Sequence, residues 1–269
     1  MKVHAFFKGG ALSKGRRAPG WMLLLLLLLP LRGYSDILIK LTMEHQAYLQ
    51  FEPMVGYVTL WNESDYPVIV DDEDAERANT RLDLVVTRNG REVKRLSDKP
   101  LVPRLSLLPG ERHMLMVDVS NLFDVGTEGR YMIDVSVVRD GINYGAKPMM
   151  ADVIPGIEIA SVTRSVPGYP GRDRTYSLRY WTREKQETLF LRVDEPSTGD
   201  NYGVFQLGRL LRIHKPRIEV DRDGFVQVTH QTAYNRYART LFEVTPDEVR
   251  FIDQNYTETE IRAHQAEGR

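Results

Sequence analysis

The strongest constraint on the fold is the alternation of apolar and polar residues that continues through the chain from Asp36 onward. Between Tyr131 and Val138, every second position is Tyr, Ile or Val, and Asp134 and Ser136 stand between them. Successive side chains of a β-strand point to opposite faces, so a period of two indicates a strand with one buried face. Long patterns of helical period are absent from this part of the chain. The sequence therefore predicts an all-β fold.

Turn sequences separate the predicted strands and set their pairing. The alternating segment Leu82–Val86 is followed by Asn89-Gly90, a pair typical of the type I′ hairpin turn because both positions tolerate positive φ. A two-residue loop at this point places Val86 opposite Val93, so the turn and the alternation predict the same register.

Further strands are predicted on both sides of this hairpin. They share a run of apolar or alternating residues bounded by Gly, Pro, Asn or Asp, and they are Ile37–Leu41, Val55–Trp61, Val68–Val70, Met114–Val119, Tyr131–Val138 and Asn143–Ile154. About seven strands in about 120 residues is typical of an immunoglobulin-like sandwich.

Three short segments in this half also resemble a known class of domain. They are Leu107-Leu108-Pro109-Gly110-Glu111, Val117-Asp118-Val119-Ser120 and Gly129-Arg130-Tyr131. Together they are similar to the closing strands of exported bacterial immunoglobulin-like domains, over residues 36–156. The resemblance implies a β-sandwich in which Tyr131 forms a tyrosine corner, and it brings no catalytic residues. The Cys–Trp–Cys pattern of antibody domains is missing, since the chain has no cysteine.

A second β-rich domain is predicted over residues 157–256, followed by a polar tail at 257–269. The clusters Pro155-Gly156 and Pro167–Gly171 interrupt the alternation, which places the domain boundary there. Seven more strands are predicted beyond it: Tyr176–Thr182, Thr188–Val193, Tyr202–Leu207, Arg217–Val220, Phe225–His230, Arg239–Val244 and Val249–Tyr256. The segment Ile218–Gln231 is similar to one blade of a β-propeller, but a propeller needs at least about four blades and no repeat is visible.

Residues 1–35 have the order of a secretory signal peptide. They contain six basic and no acidic residues, and the apolar run Trp21–Leu31 is 11 residues long, too short to span a bilayer. Small residues at Gly33 and Ser35 predict cleavage after Ser35, with an uncleaved anchor as the alternative. An exported chain without cysteine is typical of the bacterial periplasm, so the protein is expected to be periplasmic or secreted, with no stable membrane span after cleavage.

The composition excludes several kinds of chemistry. The absence of cysteine excludes disulfides, thiolate metal sites and a cysteine nucleophile. Beyond residue 35 the chain carries 37 acidic against 30 basic residues, which disfavours nucleic-acid binding. The serine-hydrolase elbow, the phosphate-binding loop and the zinc-protease motif are absent, and the histidines are not at metal-ligand spacing. No catalytic residue, metal ligand or cofactor is therefore predicted, although a dispersed hydrolase site stays open.

Aromatic residues of the second domain are the candidate ligand-binding residues. Tyr180 and Trp181 are adjacent, so in a strand they point to opposite faces. The alternation places Tyr180 in the core and Trp181 on the opposite face, which we call the mixed face because it carries both polar and apolar residues. Trp181, together with Tyr202, Tyr234 and Tyr237, would provide a platform for a sugar ring or a protein partner. The competing interpretation is that these rings fill the core and favour strand structure.

Three functions are compatible with these features. The first is a non-catalytic envelope protein that serves as an interaction or structural module, with an envelope protein or a glycan as its partner. The second is a carbohydrate-binding module that uses the aromatics of the second domain. The third is a secreted hydrolase with a dispersed site. We adopt the first as the working hypothesis, because no catalytic motif accompanies the strand pattern.

Overall fold

The computed structural model describes residues 36–71, 80–102 and 104–258. Within these ranges the chain forms β-strands joined by turns, together with a 3₁₀ turn at Val119–Asn121. The predicted all-β fold is confirmed. The predicted signal segment and the predicted tail from residue 259 onward lie outside the described residues. No helix in the described ranges is long and apolar enough to cross a membrane.

The first half of the chain forms two main sheets and one short strand pair. The three-stranded sheet has the order β1 (Ile37–Met43), β3 (Val55–Asn62), β8 (Arg112–Asp118). The larger sheet has the order β2 (Ala47–Leu49), β11 (Met149–Ile154), β9 (Gly129–Arg139), β5 (Thr80–Arg88), β6 (Arg91–Glu92), with β10 (Ile142–Gly145) paired to β9. The short pair joins β4 (Val68–Val70) and β7 (Leu105–Leu107). Neighbouring strands are antiparallel except β2 and β11, which are parallel.

The second half forms two four-stranded antiparallel meanders. One has the order β12 (Ile157–Val166), β13 (Tyr169–Arg183), β14 (Gln186–Glu195), β15 (Asp200–Arg209). The other has the order β16 (Arg217–Val220), β17 (Phe225–Ala233), β18 (Arg236–Val244), β19 (Val249–Thr257). Sequential strands pair throughout both meanders, because each connection is a short turn.

The predicted hairpin at Asn89-Gly90 is confirmed. Asn89 and Gly90 have φ of 51° and 78°, and the Val93 N–H donates to the Val86 carbonyl at 2.8 Å. Both turn residues thus adopt the positive φ that a type I′ turn requires. The register follows, since Val86 on the inner face is fully buried.

Two predictions about strand boundaries are wrong. The segment Asn143–Ile154 is two strands rather than one, with Pro148 between them, and proline cannot donate to a strand ladder. The Pro/Gly cluster at Pro167–Gly171 contains the turn of the β12–β13 hairpin, and the long strand β13 already begins at Tyr169. Pro and Gly form a hairpin turn here, whereas their clustering predicted a break in the strand pattern.

The first core lies between the two main sheets of the first half. It takes alternate residues of β1 and β3 from one sheet and of β5 and β9 from the other, an arrangement consistent with a β-sandwich. Tyr131 is fully buried in this core, and its hydroxyl donates to the Thr127 carbonyl at 2.5 Å. The predicted hydrogen bond from Tyr131 to the upstream main chain is therefore present.

A second core lies between the two meanders. It contains Tyr176, Leu178 and Tyr180 from β13, together with buried residues of β14, β17 and β18. The predicted core position of Tyr180 is confirmed, and Tyr176 and Leu178 share its buried side. Their alternation reflects the pleat of the strand, which directs every second side chain inward.

Candidate functional site

The four predicted aromatic residues do not form one platform. Trp181 lies on β13 and Tyr202 on β15, whereas Tyr237 lies on β18 and Tyr234 in the turn before it. Tyr234 is exposed over 78% of its surface, while Tyr237 is buried. The structure thus distributes the four rings over both meanders and over different degrees of burial.

Trp181 lies on the face of β13 that packs against the first half of the chain. It is half-buried and packs on a small cluster formed by Leu49, Phe190 and Val204, all of which are buried. Leu49 belongs to β2, more than 100 residues away in sequence. The mixed face that was expected to be open is therefore covered at this point.

Polar contacts continue this junction between the two halves. Arg183 donates to Glu52 in an ion pair of 2.6 Å, and the two side chains are only 9% and 10% exposed. Arg192 donates to the Gln50 side-chain oxygen at 2.9 Å and lies over the ring of Phe51, 4.7 Å from its centre. The junction residues therefore hold β13 and β14 against the β2–β3 segment.

Tyr202 belongs to a cluster of buried charges. The guanidinium of Arg174, which is fully buried, lies 3.6 Å from the centre of the Tyr202 ring and donates to the Thr245 carbonyl at 2.7 Å. Arg172 donates to Glu195 at 2.8 Å and to the Tyr202 hydroxyl. The hydrogen bond from Arg172 holds the pKa of Glu195 below its usual range. One face of Tyr202 is thus occupied by a protein cation.

Tyr237 takes part in a hydrogen-bonded group at one end of the second core. Its hydroxyl lies 2.7 Å from Nδ1 of His214, and Gln231 Oε1 lies 3.1 Å from the same nitrogen. The Gln231 side-chain nitrogen donates to the Tyr234 carbonyl at 2.7 Å. These contacts tie the β17–β18 turn to the segment before β16.

His230 is buried beside this group. Burial lowers the pKa of His230 to about 4, so its ring is neutral at pH 7. A cavity of about 20 Å³ is lined by His214, Lys215, His230 and Tyr237, among others. A single water needs about 10–15 Å³, so this space accommodates a water but not a sugar ring.

A larger groove lies along the junction of the two halves. It encloses about 480 Å³, and its walls include Asp118, Asp124 and Asp200. Asp118 accepts hydrogen bonds from the main-chain N–H of Ser120 and the side chain of Asn121, so its carboxylate caps the 3₁₀ turn. Within the described ranges, no three His, Asp or Glu side chains are grouped closely enough to hold a metal ion.

A group of exposed apolar side chains lies on one sheet of the first half of the chain. We define the outer face as the solvent-facing side of the β1–β3–β8 sheet. Strand register sets its side chains in three rows: Leu38–Trp61–Arg112, Lys40–Thr59–Met114 and Thr42–Tyr57–Met116. The Arg112 guanidinium stacks on Trp61, 3.9 Å from the ring centre.

The outer face exposes three large apolar side chains on one sheet, whereas Tyr234 is the well-exposed ring among the four predicted aromatics. Leu38, Met114 and Met116 are exposed over 44%, 64% and 71% of their surfaces. The alternation of the sequence predicted strands at β1, β3 and β8, but these exposed residues were not among the predicted binding residues. The sequence feature that indicates this face is the pair Met114 and Met116. These two large apolar side chains lie on the strand face opposite Leu115 and Val117.

Comparison with known proteins assigns the chain to no family. No protein-family model matches the chain, and no curated protein matches it. A solved β-glucosidase from Listeria innocua, in complex with isofagomine, is 14% identical over 45% of this chain and 16% of its own, with a TM-score of 0.29. Spo0M, a sporulation control protein from Bacillus subtilis, is 11% identical over 67% of this chain and 86% of its own, with a TM-score of 0.31. Such low TM-scores carry no argument about function.

Proposed function

We propose that this protein is a non-catalytic, exported β-sandwich protein that acts as an interaction module, and that the outer face is its recognition surface. The observation that carries the proposal is the group of exposed apolar side chains Leu38, Met114 and Met116 on one sheet. Contiguous exposed apolar surface on a soluble protein is typical of an interaction site. Methionine suits such a surface because its flexible thioether adapts to differently shaped partners.

Two charged residues stand among the apolar side chains of the outer face. Lys40 is exposed on β1, and Arg112 is exposed at the beginning of β8 while it stacks on Trp61. Methionine, arginine and aromatic residues are enriched in protein–protein interfaces. An arginine stacked on tryptophan also forms a large, rigid contact group, and both residue types are enriched among binding hot spots.

The immunoglobulin-like assignment of residues 36–156 belongs to this proposal. It is supported by the two sheets packed around one core and by the hydrogen bond from Tyr131 to Thr127. Export to the periplasm or beyond rests on the order of charge, apolar run and small residues in 1–35. N-terminal sequencing of the exported protein is expected to begin at Asp36, and a retained Met1 in the membrane fraction would contradict it.

A glycan is the less favoured partner. Of the four predicted aromatics, Tyr237 is buried, Tyr202 is stacked against Arg174, and Trp181 packs on the first half of the chain. Tyr234 is well exposed, but a single ring in a turn gives a small stacking surface. The outer face therefore carries more of the accessible apolar area than the second half offers at these positions.

The test compares partners captured from an envelope extract of the native host. Leu38→Glu places a charge at the exposed large apolar position of β1, and it should abolish capture of a partner that the unmodified protein retains. Ile213→Glu is the matched control, because Ile213 is 57% exposed but lies in the second half. Equal capture by both variants would refute the outer face as the recognition surface.

A glycan array probed with the unmodified protein and with Tyr234→Ala tests the second hypothesis directly. Sugar binding that disappears in Tyr234→Ala would contradict the proposal and favour a carbohydrate-binding module.

A further inference from the structure

Strand β8 is an edge strand with an unpaired side. It pairs with β3 on one side, and no other described strand pairs with it. The Val119 N–H donates to the Met54 carbonyl, and the Glu111 carbonyl accepts from the Asn62 N–H, so odd-numbered main-chain groups point toward β3. Hydrogen-bonding groups alternate in direction along a strand. The main-chain groups of residues 112, 114, 116 and 118 therefore point away from the sheet.

Strand β8 contains no proline, lysine or bulge that would hinder strand pairing. Natural edge strands are blunted by proline, lysine, a bulge or extreme shortness. The strand Arg112–Asp118 reads Arg-His-Met-Leu-Met-Val-Asp, and its pairing with β3 runs without interruption over all seven residues. Met114 and Met116 are more than three-fifths exposed along it. A regular edge with exposed apolar side chains is a template for a further strand.

The sequence of β8 is complementary to itself. If the strand is laid antiparallel against a second copy with Leu115 at the two-fold axis, Arg112 faces Asp118 of the second copy. In the same register Met114 faces Met116 of the second copy. Opposite charges and paired apolar side chains across neighbouring strands are stabilising. Charge and apolar pairing therefore agree on one register.

The hydrogen-bonding direction agrees with that register as well. The pairs 112 with 118 and 114 with 116 join residues whose main-chain groups all point to the free edge. Moving the axis to Met114 or Met116 keeps the hydrogen bonding but separates Arg112 from Asp118. Only the arrangement centred on Leu115 satisfies both the main chain and the charges.

We propose that two copies of this protein associate through antiparallel pairing of β8 with β8, in the register centred on Leu115. The two three-stranded sheets then become one six-stranded sheet, and the outer faces join across the two-fold axis. A self-complementary contact of this kind closes after two copies, as an isologous dimer does. The inference rests on the proposed function in one respect, since the joined outer faces form the recognition surface.

The first test replaces the two exposed methionines of β8 with charged residues that would face each other across the dimer. Met114→Lys with Met116→Lys brings lysines together across the axis, and the dimer should weaken by at least about tenfold. Met114→Lys with Met116→Glu is the matched control, because each lysine then faces a glutamate of the second copy and the dimer should persist. Sedimentation velocity over a range of concentrations measures both, and the urea midpoints show whether both variants are folded.

The second test determines the register of the pairing between the two β8 strands. The chain has no cysteine, so Met114→Cys and Met116→Cys each introduce a unique thiol. Directly opposed residues in a hydrogen-bonded pair have Cα atoms about 5.5 Å apart, within the disulfide range of about 4.4–6.8 Å. Mixing the two variants under mild oxidation should give a covalent heterodimer, whereas each variant alone should cross-link far less.

The outcomes separate this inference from the proposed function. An unmodified protein that stays monomeric, or a dimer that the two lysines leave intact, overturns β8 pairing. A monomer whose partner capture is still lost in Leu38→Glu overturns the dimer and keeps the interaction module. A dimer with the expected charge response and no partner sensitive to Leu38→Glu supports the pairing and contradicts the proposed recognition surface.

Discussion

Truncation of Trp181 tests whether the mixed face of β13 is a junction or an open surface. A large aromatic side chain buries about 150–250 Å² on folding. At about 25 cal/mol per Å² this contributes roughly 4–6 kcal/mol for complete burial. Trp181 is half-buried on Leu49, Phe190 and Val204, so we expect Trp181→Ala to lower the free energy of unfolding by about 2–4 kcal/mol.

Tyr180 and Tyr234 supply the two reference values. Tyr180, on the opposite face of the same strand, is buried in the second core, so Tyr180→Ala should cost about 3–5 kcal/mol. Tyr234 is 78% exposed, so Tyr234→Ala should stay within about 0.5 kcal/mol. Urea unfolding gives all three values when it is monitored by far-UV circular dichroism, a signal that does not depend on the tryptophan that is removed. If Trp181→Ala lowers the free energy of unfolding as little as Tyr234→Ala does, the contact with Leu49 does not cover this face of β13.

Three further perturbations have expected outcomes. Glu52→Ala should lower the free energy of unfolding by about 3–5 kcal/mol in urea titrations, because it leaves Arg183 as a buried cation without its carboxylate. Burial depresses the pKa of His230 to about 4 in the folded state, against about 6.5 unfolded. The unfolded state therefore binds more protons between these values, and stability should fall by about 3 kcal/mol as the pH drops from 6.5 to 4, a slope that His230→Gln should remove. Tyr131→Phe removes the hydrogen bond to the Thr127 carbonyl and should lower the thermal midpoint by the equivalent of about 1 kcal/mol, whereas an unchanged midpoint would show that this bond contributes nothing.

Turn sequences and the alternation of apolar and polar residues correctly predicted much of the strand structure in the first half of the chain. Asn89-Gly90 set a turn with positive φ at both positions, and the alternation of Leu82–Val86 then left one register that buries its apolar face. The same argument placed Tyr131 in the core. Each of these inferences depends on residues close together in the chain, where backbone geometry and side-chain direction are coupled.

The candidate site was harder to predict. Aromatic residues of the second half suggested a binding platform, yet Tyr202 stacks on Arg174 and Tyr237 bonds to His214. A buried aromatic ring and an exposed one favour strand structure equally, so their spacing in the sequence does not separate the two roles. Met114 and Met116 carried the more informative signal, because large apolar side chains on the polar face of a strand violate the usual alternation.

The sequence by itself determined the all-β class, the positions of many of the turns and the inward face of the central strands. These follow from a period of two, which is a property of each strand alone. Tertiary structure decided which outward faces are covered: Leu49 packs in the cluster that covers Trp181, and Glu52 pairs with Arg183 across 131 residues, while nothing described covers Met114 and Met116. Alternation tells the two faces of a strand apart, but only contacts between distant segments decide whether the second face meets protein or solvent.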